Sequence, residues 1–125
     1  MSAESVVVTL GASFTALTSI DHVNGSTELI IGIGDRACRD KGYGTETMRI
    51  LLDFAFGELA LHRVFLRVFE YNEHARHVYE RVGFTHEATR REDCYRHGRY
   101  YDTHILGILR REWETQDRPR TWELE

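Results

Sequence analysis

The chain predicts an α+β fold, with helices covering a mostly antiparallel sheet, on three observations. Short β-forming segments recur near residues 5–10, 12–20, 27–33, 63–69, 84–94 and 100–109. Two segments, near 44–60 and 73–82, place apolar residues at helical spacing. A single run of 125 residues, 42% hydrophobic and 29% charged, gives one domain with a modest core.

The two N-terminal strands lead to Leu29-Ile30-Ile31-Gly32-Ile33, which is too short and too β-branched to stand as a helix and is read as a strand. The next helix follows from Met48, Leu51, Leu52, Ala55 and Leu59, which form one apolar stripe. Between them lies Arg39-Asp40-Lys41-Gly42-Tyr43-Gly44-Thr45. Gly42 and Gly44 let the backbone turn sharply, so that successive N–H groups converge on an anion at the helix N-terminus, although glycine pairs also make ordinary turns. The spacing fits neither a nucleoside-triphosphate P-loop nor a dinucleotide fingerprint.

Arg63-Val64-Phe65-Leu66-Arg67-Val68-Phe69 partly alternates polar with apolar residues and reads as another strand. Asn72 is a good N-cap for a short helix with Ala75, Val78 and Val82 on one face, and Gly83 is placed to end it. Past residue 113 the chain is polar, carries the only proline, Pro119, and is expected to be a fraying tail over 114–125. Arg90-Arg91, flanked by Glu87, Glu92 and Asp93, reads as a solvated turn.

A net charge of −4 gives no support to nucleic-acid binding, and no apolar run approaches the roughly 20 residues of a membrane span. Without a signal-like N-terminus, and with Cys38 and Cys94 outside any disulfide or zinc spacing, a cytoplasmic protein is expected. His74 and His77, one turn apart, lack a third ligand of matching spacing, so no metal is assigned.

Two signatures together carry a resemblance. Arg39-x-x-Gly42-x-Gly44 resembles the acetyl-coenzyme A pyrophosphate loop of the GNAT acetyltransferases, and Asn72-x-x-Ala75-x-x-x-Tyr79-x-x-x-Gly83-Phe84 resembles that family's second motif. The segments 19–29 and 98–109, with Glu112-Trp113, are similar to the ribosomal-protein N-terminal acetyltransferases of the RimJ/RimL type. The resemblance covers about residues 11 to 113, within a single GNAT-like domain over 1–113. The family fold usually supplies a strand and two helices ahead of the segment equivalent to Gly11. Only ten residues precede it here, so the chain is expected to lack that first strand and those two helices.

The resemblance implies that the strands holding Leu29–Ile33 and Val64–Phe69 run parallel and splay apart, with the pantetheine arm in the gap. Backbone groups of Ile31, Gly32 and Ile33 would hold that arm, and Arg39, Lys41, Gly42, Tyr43, Gly44 and Thr45 the pyrophosphate. Asn72 would reach the pantetheine, or serve as a cap alone. Tyr79 would donate a proton to the departing thiolate. Glu28 is the candidate base, or alternatively a surface strand residue or a partner for a nearby arginine. Other family members carry the base where Arg67 stands, and a guanidinium cannot act as one.

The implied reaction moves acetyl from acetyl-CoA to a small-molecule or peptide amine. A coenzyme A binding or assembly module without acceptor chemistry is the second reading, and a site for another phosphate ligand the third. The uncovered apolar face of such a short chain leads to an expected homodimer or larger assembly.

Overall fold

The computed structural model describes residues 5–10, 13–33 and 43–123. Strands β1 (Val6–Leu10), β2 (Ser13–Asp21), β3 (Ser26–Ile33), β4 (Arg63–Phe69), β5 (Thr85–Arg96) and β6 (Arg99–Leu109) form one sheet in the order β1-β2-β3-β4-β6-β5. Helix α1 (Tyr43–Asp53) joins β3 to β4, α2 (Glu73–Val82) joins β4 to β5, and α3 (Arg110–Glu114) follows β6. Every neighbouring pair is antiparallel except β3 and β4, whose parallel pairing requires a crossover connection, here one that contains α1. Among the described residues no helix is long and apolar enough to cross a membrane.

The core follows from the strand alternation. Val64, Leu66 and Val68 point to one face, where Val64 lies across from Ile108 and Leu66 across from Leu106. Leu17 and Leu29 continue the same layer, and the stripe Met48, Leu51, Leu52 and Ala55 closes over it with no exposed surface.

The helix expected over 44–60 stops being α-helical at Asp53. Residues Phe54–Glu58 form a π turn, in which Leu59 N donates to Phe54 O at 2.9 Å. The apolar stripe runs through this widened turn, so the periodicity alone does not reveal it. Phe56 is thereby buried against Trp113, with ring centroids 5.3 Å apart.

Helix α2 has the expected ends. The Asn72 Oδ1 accepts from Ala75 N at 3.3 Å, and Gly83, at φ 123°, donates to the carbonyls of Tyr79 and Glu80. Arg90 and Arg91 lie within β5 and not in a turn; the hairpin turns instead at His97 and Gly98, both at positive φ.

The segment expected to fray after residue 113 is stitched to the core. Asp53, 1% exposed, accepts from Trp113 Nε1 at 2.8 Å, Arg118 Nη2 at 2.7 Å, and both Thr121 N and Oγ1 at 2.8 and 2.7 Å. Gln116 Nε2 donates to Val82 O at 2.8 Å, and the Arg120 guanidinium stacks on Trp113 at 4.2 Å. Burial pushes the Asp53 carboxyl upward, but the hydrogen bonds from Arg118, Thr121 and Trp113 outweigh it and hold the group below its ordinary range.

Candidate functional site

Parallel pairing of β3 with β4 covers Ser26, Thr27 and Glu28 against Arg63, Val64 and Phe65, and then ends. β3 continues to Ile33 with β2 as its partner, Ile31 facing Thr15, Gly32 facing Phe14 and Ile33 facing Ser13. The β4-facing edge of these residues is therefore left without a strand partner among the described residues, which is the splay that the family resemblance implies. A cavity of about 300 Å³ opens at the parting, with Glu28 and Ile31 from β3, Arg67 and Phe69 from β4, Tyr79 from α2, Asp93 from β5 and Thr103 from β6 on its walls.

Glu28 is the last residue of β3 paired with β4, and Arg67 lies two residues beyond its register partner Phe65, so both side chains project from one face of the sheet. Arg67 Nε donates to Glu28 Oε2 at 2.7 Å and Nη2 to Oε1 at 3.4 Å. The arginine alternative weighed for Glu28 is thus the arrangement observed. Tyr79 sits one turn after Ala75 on α2, and both pack against the core. Burial raises the Tyr79 phenol above its usual range, so that it is protonated at neutral pH and able to donate.

Asn72 acts as the cap of α2. Tyr43, Gly44 and Thr45 form the first turn of α1, whose leading N–H groups have no partner within the helix. Arg39, Lys41 and Gly42 lie outside the described residues.

Residues 6–85 match the family described as "Acetyltransferase (GNAT) domain". The chain belongs to the GNAT acetyltransferases. It is 36% identical over 99 residues to the Bacillus subtilis protein named "Putative ribosomal N-acetyltransferase YdaF", covering 79% of this chain and 54% of that one. It is 33% identical over 93 residues to the Vibrio cholerae spermidine N(1)-acetyltransferase, covering 74% of this chain and 53% of that one. A solved variant of SpeG, the spermidine N-acetyltransferase of Vibrio cholerae, superposes with a TM-score of 0.82 at 28% identity, over 93% of this chain and 70% of that one. The sheet and its flanking helices are accordingly the GNAT fold. The chain spans about half the length of the curated relatives it matches.

Within this GNAT domain the structure brings Glu28, Ile31 and Tyr79 to one cavity. Asp93 and Thr103 were not singled out from the sequence. Asp93 is one charge in a mixed run, and Thr103 stands between Asp102 and His104 in the polar half of its strand, so no local pattern marks either of them.

Proposed function

We propose that this protein transfers acetyl from acetyl-CoA to a primary amine by direct attack. The carrying observation is the cavity where β3 and β4 part, with the half-buried Tyr79 phenol in its wall. In this reading the pantetheine arm lies along the unpaired edge of Ile31, Gly32 and Ile33. The pyrophosphate meets Arg39, Lys41, Gly42, Tyr43, Gly44 and Thr45, and Asn72 stands near the arm while it caps α2.

The amine lone pair attacks the thioester carbonyl carbon, a C–N bond forms, and charge gathers on the carbonyl oxygen near the β3 backbone donors. The C–S bond then breaks, and Tyr79 gives its phenolic proton to the sulfur. Glu28, held at the cavity wall by Arg67, receives the proton of the amine through water. The relatives named for ribosomal and spermidine acetylation support two acceptor classes, a peptide N-terminus and a polyamine. The dodecameric structure of the Vibrio cholerae spermidine N-acetyltransferase, together with the exposed apolar residues Val7, Ile30 and Phe69, supports self-association.

The pairing of Arg67 with Glu28 favours one alternative, a coenzyme A binding module without acceptor chemistry. Calorimetric titration of acetyl-CoA, followed by turnover assays with spermidine and with a short peptide bearing a free N-terminus, separates the two. Binding with turnover supports the enzyme. Binding without turnover of either amine supports the module, and absence of binding refutes both.

A further inference from the structure

The reading of the cavity as an acetyl-transfer site leaves open what grips the acceptor, and the inference below rests on that reading. In the β5–β6 ladder Arg90 faces Thr103 and Cys94 faces Tyr101, so Arg91, Glu92 and Asp93 bulge out opposite Asp102 alone. Such bulges re-aim side chains, and they concentrate beside active sites. Glu92 takes φ 51°, a conformation a non-glycine residue holds only when its surroundings fix it.

Here the surroundings are acidic side chains spent on backbone donors. Glu92 N donates to Asp102 Oδ1 at 2.8 Å, and Asp102 N donates to Glu70 Oε1 at 2.8 Å. Glu70 N donates in turn to Asp102 O at 3.0 Å. The result is a rigid bulge that carries Asp93 to the cavity wall.

The charges on that wall are unequal in their commitments. Glu28 is matched by Arg67 at 2.7 Å. Among the described residues Asp93 has only Arg90, at 3.4 Å, whose side chain is 60% exposed and readily drawn into water. Thr103, on the same wall, is 1% exposed, and its hydroxyl has no hydrogen-bond partner among the described residues. A buried hydroxyl without a partner is costly and calls for one.

The geometry points to the Asp93 carboxylate and the Thr103 hydroxyl as the site that binds the acceptor's primary ammonium group. An ammonium offers three donors and a positive charge, and this pair offers a charged and a neutral acceptor. The ligand class is therefore a cationic primary amine.

The test titrates spermidine, and separately a tripeptide amide with a free N-terminus, into the full chain in the presence of coenzyme A. Asp93→Asn is expected to weaken binding of whichever amine the wild type takes by about tenfold or more, and Thr103→Val by several-fold. Asp93→Glu is expected to restore part of the loss, and Arg90→Gln to leave binding equal or tighter. Coenzyme A affinity should stay within about twofold throughout, which a general structural defect would not allow. Amine binding by Asp93→Asn within twofold of the wild type overturns the inference, as does a wild type that binds neither amine. Asp93-dependent binding without acetyl turnover would uphold the amine site while refuting acetyl transfer.

Discussion

Replacing Asp53 by alanine removes the acceptor on which the C-terminal segment is fastened. Arg118 would lose the partner of a guanidinium whose side chain is 18% exposed, and the buried Trp113 indole N–H and the Thr121 backbone N–H would each lose theirs. Breaking a buried pair by removing one partner costs about 3–5 kcal/mol. In a domain of this size that lowers Tm by roughly 10 °C or more. Asp53→Asn keeps an oxygen and loses the charge, so the expected cost is smaller, about 2 kcal/mol.

The assay is urea unfolding followed by tryptophan emission, since the only two tryptophans, Trp113 and Trp122, pack in this region with centroids 6.3 Å apart. The pH dependence has a definite sign. The folded carboxyl titrates below its unfolded value, so its contribution is complete above about pH 4 and fades as the pH falls through the lower, folded value. The gap between wild type and Asp53→Asn should therefore be full at pH 7 and shrink below pH 4. A variant within 0.5 kcal/mol of wild type at pH 7, with unchanged emission, would refute the reasoning, since that is the range of ordinary surface substitutions.

Two further substitutions bear on α2. Gly83→Ala would place a Cβ against Gln116 Nε2 and 3.2 Å from Ile108 Cδ1 at φ 123°, and is expected to cost roughly 1–3 kcal/mol in denaturant midpoint. Asn72→Ala should cost about 1 kcal/mol of stability through the lost cap, while Asn72→Ser restores it. If the proposed pantetheine contact holds, calorimetry will find acetyl-CoA binding weakened in both variants; recovery in the serine variant would assign Asn72 to capping alone.

Much of the fold was legible because its signals are local. The alternation over 63–69 gives β4 as observed, and Asn72 and Gly83 bracket α2 through capping chemistry that needs only neighbours in sequence. The parting of β3 from β4 followed from the family resemblance and not from periodicity.

What was missed depends on distant partners. Arg118 and Thr121 look like a solvated tail until Asp53, two helices and three strands away in the chain, is seen to accept from both. The bulge at Arg91–Asp93 is equally silent, because Asp102 on the neighbouring strand holds it and a mixed-charge run reads as a turn. The Glu28 alternatives could be stated from sequence, but only the register that puts Arg67 beside it chose the pair at rest.

The central claim is that Tyr79 serves acetyl transfer in the cavity between β3 and β4. It is tested most directly by Tyr79→Phe, measuring acetyl-CoA affinity by calorimetry and kcat with the best amine across pH. The phenyl ring preserves the packing beside Ala75 and removes only the proton donor. The account predicts acetyl-CoA affinity within about twofold of wild type and a fall in kcat of about 10²-fold or more, the usual contribution of a positioned general acid. An unchanged kcat in a folded variant would contradict it.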